Sequence, residues 1–349
     1  MKLFSCQCCG QVLHFENSCC LGCGRALGYL AEEDRLVAVE PLGANWQIAG
    51  ESGAAQYRFC RNWELSACNW LVPAEGAEFC ATCQHNRTIP PLDSAENLQR
   101  WQRIENAKRR LIYTLRHLDL PLPLAGSGHP EPLIFDFLDD QIAGQSVMTG
   151  HDNGVITIAL SEADDAHREA MRAQLGESYR TLLGHFRHEI GHYYWDLLIR
   201  DGGNLQSFTA LFGDASQDYA AALDRHYAQG APEGWQQNYV SAYATMHPWE
   251  DWAETWAHYL HMIDSLDTAA HLGLQSQPEI APTLAARLNF DPWAVQDSDR
   301  LLAAWTPLSI ALNEMNRAMG VKDLYPFAIS AKVAEKLAYI HGVIRNRSL

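Results

Sequence analysis

Apolar residues recur at steps of three and four along several stretches of the chain, a spacing that predicts amphipathic helices. One such stretch covers residues 181–200, and a second follows a capping box at 93–96 and runs to about residue 118. A third covers 239–264, with Pro248 suited to a first helical position, and the pattern is helical again from residue 282. Residues 133–137 and 155–160 are β-rich, and a helix is expected from about 162 to 175. We therefore expect an α+β fold, mostly helical with a small sheet.

All ten cysteines lie within the first 83 residues. Two C-x2-C pairs, each followed by glycine, can offer four sulfurs to one tetrahedral Zn²⁺, and four later cysteines can form a second closed site. An all-sulfur site has no open coordination position, so both zinc ions should be structural. We therefore expect a zinc-ribbon domain over residues 1–93, followed by a second domain over 94–349. The predicted ligands are Cys6, Cys9, Cys20 and Cys23 for the first site and Cys60, Cys68, Cys80 and Cys83 for the second, with Cys8 and Cys19 left over as small buried or spare thiols.

Charge and hydropathy exclude several classes of partner. The net charge of −16 argues against nucleic acid or an anionic membrane, and residues 1–93 carry ten acidic side chains against six basic ones. No uncharged apolar run is long enough to span a bilayer, and the first ten residues contain no apolar signal-peptide core. Cysteines at metal-ligand spacing suit a reducing compartment. We expect a cytoplasmic protein with no nucleic-acid or membrane partner.

The predicted helix after residue 93 carries the one notable basic run. Because Glu105 precedes Arg109 by four residues, we expect a solvated helix face here and not a ligand site. The basic residues are Arg100, Arg103, Lys108, Arg109, Arg110 and Arg116.

Candidate chemistry lies in the stretch 181–200, which contains His188-Glu189-Ile190-Gly191-His192. Two histidines four residues apart on a helix share one face and can bind a single Zn²⁺, and the intervening glutamate can hold a water on the metal. A third ligand is not supplied locally, because Trp195 and Leu198 occupy the positions that a longer histidine motif would use. The third ligand must therefore come from elsewhere in the chain.

The predicted helix after Pro248 offers such a ligand. Glu250, Glu254, His258 and His261 follow one another at steps of four, four and three, so they share one face of a tryptophan-rich helix. Inward-facing carboxylates need a partner, and a histidine-bound cation is one. We expect Glu250 to bind the metal and Glu254 to accept an N–H from a zinc histidine, with the reverse assignment left open. His258 and His261 are expected to be helix-face or core histidines.

Several runs of sequence carry a family resemblance. The runs HEIGHYYWDLL, FGDASQDYAAALDRHY, YVSAY and HPWEDWAETWAHYLH, together with CNWLVP and NRTIP near the cysteines, resemble a bacterial family of zinc-binding metallopeptidases with an N-terminal zinc-ribbon domain. The chain is more distantly similar to gluzincin peptidases, including lethal-factor-type toxins, although nothing in it resembles the substrate-recognition regions of such toxins. This second resemblance implies that Tyr243, seven residues before Glu250, steadies the oxyanion, and it favours Glu250 over Glu254 as the ligand.

The resemblance implies a zinc-dependent hydrolase that cleaves the amide bonds of a peptide or protein substrate. Glu189 would act as general base on a zinc-activated water, and the chain would hold one catalytic and two structural Zn²⁺ ions. One alternative is a non-catalytic binding or regulatory protein whose ribbon recruits a protein partner, but an intact Glu189 argues against it. Another is a nucleic-acid-binding ribbon protein, which the acidic ribbon argues against.

Overall fold

The computed structural model describes residues 1–51, 55–140, 147–175 and 181–346. These residues form two compact units. Unit 1 comprises Met1–Ile112, Leu122–Thr149 and Val155–Asp164, and unit 2 comprises Tyr113–Pro121, Gly150–Gly154 and Asp165–Leu349. The described residues contain eight α-helices and several small sheets, which confirms the predicted α+β class.

Unit 1 begins with short strands that carry the cysteine knuckles. Strands β1 (Phe4–Ser5) and β2 (Val12–Leu13) form an antiparallel hairpin. Five further strands then form an antiparallel sheet in chain order: β3 (Ala26–Leu30), β4 (Arg35–Leu42), β5 (Asn45–Ile48), β6 (Tyr57–Phe59) and β7 (Leu71–Pro73). Alternating side chains of these strands, including Val37 and Val39, build a small apolar core. The sheet thereby holds the ends of the loops in which the cysteines lie.

The rest of unit 1 combines short parallel strands with one long helix. The strands after the ribbon are β8 (Asn86–Thr88), β9 (Ile134–Leu138), β10 (Gly150–Asp152, in unit 2) and β11 (Val155–Ala159). Strand β9 pairs in parallel with both β8 and β11. Helix α1 (Ala95–His117) begins at the predicted cap, where the Ser94 hydroxyl accepts the Asn97 N–H at 3.0 Å.

The prediction that this face of helix α1 is solvated is wrong for three of its residues. The side chains of Glu105 and Lys108 have no exposed surface and form an ion pair at 2.7 Å, and Arg109 is also buried. Arg110, by contrast, is about half exposed and pairs with Glu16. The charged residues are buried because they lie against the second cysteine cluster, which the spacing of charges along one helix does not reveal.

Unit 2 is almost entirely helical. Its helices are α2 (Asp165–Leu175), α3 (Leu182–Trp195), α4 (Leu205–Phe212), α5 (Tyr219–Gln229), α6 (Pro248–His271), α7 (Ser298–Ala318) and α8 (Ala331–Arg345), with a small hairpin of β12 (Gln275–Ser276) and β13 (Ala286–Arg287). The helix expected from residue 162 is divided instead, because Asp164 is extended between a 3-10 turn at Leu160–Ala163 and α2. Helix α3 ends in a π-helical turn at Asp196–Arg200, and α6 has Pro248 in its first turn, as predicted.

Helices α3 and α6 pack closely where they cross. A Cβ added at Gly191 of α3 would lie 3.0 Å from the Cα of Ala253 and 3.2 Å from the Cβ of Trp256, so only glycine permits this approach without a shift. The indole N–H of Trp252 donates to the Gly191 carbonyl at 2.8 Å, and both tryptophans are fully buried. The crossing therefore brings the histidines of α3 next to the first turns of α6.

The C-terminal helices complete the core of unit 2, as the helical pattern from residue 282 predicts. Helix α8 supplies Lys336, whose ammonium lies 2.6 Å from Asp251 of α6 in a fully buried ion pair and also donates to the Asn238 carbonyl. Breaking such a pair would leave one charge buried without compensation, so it fixes α8 against α6. No helix in the described ranges is both long and apolar enough to cross a membrane.

Candidate metal centres

The helix crossing in unit 2 brings two imidazoles and one carboxylate together. His188 and His192 lie one turn apart on α3, and their Nε2 atoms are 3.1 Å apart. The Oε2 atom of Glu250, in the first turn of α6, lies 3.0 Å from His188 Nε2 and 3.5 Å from His192 Nε2. Ligands about 2.05 Å from a tetrahedral Zn²⁺ would be separated by about 3.3 Å. The three distances are those of one face of such a tetrahedron.

The chemistry of these three groups fits a bound cation. Glu250 is 1% exposed, and within the described residues its Oε2 has no hydrogen-bond partner despite the nearby nitrogens. Burial lowers the pKa of His188, but the Glu250 and Glu254 carboxylates raise it more, so that its net pKa lies well above the usual value. The buried carboxylates thus favour positive charge at this point, which a cation bound by Glu250 and both imidazoles would supply. Zn²⁺ accepts this donor set and leaves a fourth position open.

Glu254 lies one turn further along α6 and contacts the opposite edge of the His188 ring. Its Oε1 atom is 2.7 Å from His188 Nδ1, and its Oε2 accepts the Ser241 hydroxyl at 2.6 Å. A ligand histidine commonly donates its other ring N–H to a carboxylate, which fixes the tautomer and the ring orientation. The Nδ1 atom of His192 has no such partner within the described residues. The two glutamates thus differ in position, one facing both imidazoles and the other behind one of them.

Glu189 and Tyr243 flank the same three groups. Glu189 is 9% exposed, and its carboxylate forms no hydrogen bond in the part of the chain that is described. Tyr243 opens a 3-10 turn at Tyr243–Thr245, with its ring centroid 6.0 Å from that of His188. Burial and the Glu250 carboxylate raise the pKa of Tyr243, so its phenol remains a hydrogen-bond donor. Both residues named from sequence therefore lie in the neighbourhood of the imidazole pair.

The structure adds three residues that the sequence did not single out. The Tyr219 hydroxyl donates to Glu250 Oε1 at 2.8 Å, the Trp249 ring packs 3.6 Å from the His192 ring, and Gly191 permits the helix crossing. Tyr219 lies within the run FGDASQDYAAALDRHY that carries the family resemblance, but its role depends on a contact across 31 residues. His258 and His261 lie elsewhere on α6, where His258 is buried and forms a 2.7 Å hydrogen bond with the Tyr325 hydroxyl.

The cysteines of unit 1 form two four-sulfur clusters with the predicted membership, and each could hold a metal ion. Sulfurs bound about 2.3 Å from a tetrahedral Zn²⁺ would be about 3.8 Å apart. The observed distances are 3.8 Å for Cys6–Cys23, 3.6 Å for Cys9–Cys20 and 3.7 Å for Cys68–Cys80. All ten cysteines are free thiols, and the two outside the clusters, Cys8 and Cys19, are exposed. This spacing suits zinc in both clusters.

Together, the sulfur clusters and the helix-borne imidazole–carboxylate set define a zinc protein with an N-terminal ribbon. A family model described as "Putative zinc-binding metallo-peptidase" matches residues 97–343, and a zinc-ribbon domain model matches residues 3–94. The chain therefore belongs to the zinc-binding metallopeptidase family with an N-terminal zinc ribbon, which confirms the resemblance seen in the sequence.

Similar proteins occur in mycobacteria. "Uncharacterized protein Rv2568c" of Mycobacterium tuberculosis (strain ATCC 25618 / H37Rv) is 46% identical over 348 residues, which cover 99% of this chain and 95% of the relative. "Uncharacterized protein Mb2598c" of Mycobacterium bovis (strain ATCC BAA-935 / AF2122/97) matches with the same identity and coverage. No solved structure matches the chain.

Proposed function

We propose that this protein is a zinc-dependent hydrolase that cleaves peptide bonds, with His188, His192 and Glu250 as the ligands of the catalytic ion. The observation that carries the proposal is that one ligand atom from each of these three residues lies within 4.8 Å of the other two. The Glu250 atom among them, Oε2, is buried and has no hydrogen-bond partner among the described residues. Family membership supports the same reaction class. Since Glu254 lies behind His188, its proposed role is to orient that imidazole.

The residues around this site have complementary roles in amide hydrolysis. Bound here, Zn²⁺ would act as a Lewis acid and lower the pKa of a water to about 7. Glu189, next to His188 on α3, takes a proton from the attacking water and then transfers it to the leaving amine. The Tyr243 phenol donates to the oxyanion that develops on the scissile carbonyl. In this proposal every catalytic group belongs to α3 or to the segment that leads into α6.

Metal analysis tests the site itself. We propose three Zn²⁺ ions per chain, one at the helix pair and one in each cysteine cluster. Replacing His188 and His192 together by alanine should remove one ion and leave two, because the cysteine clusters share no ligand with the helix pair. A double variant that still binds three zinc ions would place the third ion elsewhere and contradict the ligand assignment.

The proposed base is tested by Glu189→Gln, which keeps the size of the side chain and removes its basicity. Cleavage of a peptide library should fall roughly 10²- to 10⁴-fold, the usual contribution of a general base, while the zinc content stays unchanged. Glu233→Gln, at an exposed position of unit 2, is the matched control and should cleave like the parent. Cleavage by the Glu189→Gln variant at the parent's rate would show that Glu189 is not the base.

Other parts of the functional interpretation rest on the sequence alone. The substrate would be a peptide or a protein, and the acidic ribbon is proposed to contact a protein partner and not a nucleic acid or a membrane. Thiols that form metal clusters require reducing conditions, so we propose that the protein works in the cytoplasm.

A further inference from the structure

Each of the two glutamates at the helix crossing uses one oxygen toward a histidine and the other toward a hydroxyl. Glu254 accepts from His188 through Oε1 and from Ser241 through Oε2. Glu250 faces the imidazoles with Oε2 and accepts the Tyr219 hydroxyl at Oε1, at 2.8 Å. The hydroxyl donor to Glu250 therefore occupies the one carboxylate oxygen that does not face the proposed metal position.

Tyr219 is well fixed for this role. Asp218 caps helix α5 by accepting the Ala221 N–H at 3.0 Å, which places Tyr219 in the first turn. Its ring makes edge contacts with His247, at 5.5 Å between centroids, and with Trp249, at 5.9 Å. Both of these residues flank Pro248 at the start of α6, so the tyrosine is held against the same turn that carries Glu250.

We infer that Tyr219 is a positioning residue for the metal site, which holds Glu250 so that only one carboxylate oxygen is presented to the ion. The inference rests on the proposed function, since it takes Glu250 as a ligand. A carboxylate whose second oxygen is engaged by a hydroxyl cannot easily turn to bind through both oxygens. Tyr219 thereby helps to keep the number of protein atoms that would bind the ion at three and the fourth position open.

The Tyr219 hydroxyl also stabilises the negative charge of the Glu250 carboxylate. A neutral donor stabilises the negative charge of Glu250 inside a buried site without adding a cation that would compete with Zn²⁺. A lysine or arginine at this position would instead neutralise the carboxylate and weaken its attraction for the metal. The choice of a phenol on α5 thus supports both the orientation and the charge of the ligand.

The test compares zinc affinity in full-length variants that differ by one hydroxyl group. Tyr219→Phe keeps the ring and its contacts, and it should raise the dissociation constant of one zinc ion roughly 10- to 100-fold, the usual cost of losing a group that orients a ligand. Tyr227→Phe is the matched control, because Tyr227 lies on the same helix and is 63% exposed. Zinc retained after dialysis against chelators of graded affinity is measured by atomic absorption, and the His188→Ala, His192→Ala double variant identifies the ion concerned.

Thermal unfolding of the zinc-free proteins separates positioning from general packing. If Tyr219 positions Glu250, Tyr219→Phe should lower the unfolding temperature of the zinc-loaded protein more than that of the zinc-free protein, in which only the hydrogen bond to Glu250 is lost. This inference would be overturned if the parent and Tyr219→Phe retained that ion equally well. The proposed function would remain intact in that case, provided that the double-histidine variant still lacked one ion. An equal loss of stability in the loaded and the zinc-free forms would also overturn it, in favour of a packing role. Three ions in the double-histidine variant would overturn the proposed function and this inference with it.

Discussion

The two four-cysteine clusters have the same ligands but different surroundings. In the second cluster all four cysteines are buried, each at 3% exposure or less. In the first, Cys9 is exposed and Cys23 partly so, while Cys6 and Cys20 are buried. Water can therefore solvate the charge of the first cluster, but the second must be compensated by protein groups.

The compensating groups of the second cluster come from helix α1. Glu105 accepts the Cys83 thiol at 3.6 Å and pairs with Lys108, which also donates to Asn86. Burial, the largest influence, lowers the pKa of Lys108 and of Arg109, but neighbouring carboxylate and thiol groups together raise both to a net value above the ordinary one. The largest of the raising influences is Glu105 for Lys108 and Cys68 for Arg109. Four thiolates around Zn²⁺ carry a net charge of −2, which two cations and one carboxylate reduce to −1. The buried cluster thus has charged groups of helix α1 packed against it, whereas two cysteines of the first cluster reach solvent.

The largest expected effect compares the loss of one ligand from each cluster. Cys68→Ser should lower the melting temperature of the zinc-loaded protein by about 10 °C or more, because the remaining buried sulfurs would lose their ion and water cannot reach them to replace the missing ligand. Cys9→Ser should lower it by less than half as much, since water can reach the exposed position and replace the lost sulfur. Differential scanning calorimetry of both full-length variants measures the comparison. Equal shifts would mean that burial does not distinguish the clusters.

A smaller effect is expected from the countercharges. Lys108→Met should cost roughly 3–5 kcal/mol of the free energy of unfolding, because Glu105 would remain buried beside the thiolates without its cation. Arg110→Met is the matched control on the same helix, where loss of the half-exposed pair with Glu16 should cost less than about 1 kcal/mol. Chemical denaturation followed by circular dichroism gives both values. A Lys108→Met variant as stable as Arg110→Met would show that the cluster needs no compensating cation.

The sequence predicted most of what depends on local spacing. The C-x2-C pairs, the histidines four residues apart and Pro248 at a helix start are each determined within a few residues, and the structure places them as a local pattern requires. The burial of Lys108 could not be predicted in this way, because helical spacing shows which residues share a face but not what packs against it. Tyr219 and Gly191 were missed for the same reason, since their roles come from contacts with α6, 31 and about 60 residues further along the chain.

The smallest expected effect concerns the order in which the two clusters lose zinc. In the full-length protein under chelator, Cys9 and Cys23 of the first cluster should react with an alkylating agent roughly tenfold faster than the cysteines of the second, since all four of the latter are buried and must open locally before the reagent can enter. A tenfold ratio corresponds to about 1.4 kcal/mol of opening free energy. Peptide mass spectrometry follows both sets at once, and the exposed Cys8 and Cys19, which should react even without chelator, provide the internal reference. If Lys108→Met raises the alkylation rate of the second cluster to that of the first, the charged residues of α1 keep the second cluster closed. If the two clusters are alkylated at the same rate in the parent, burial of the thiols does not control access to the ion.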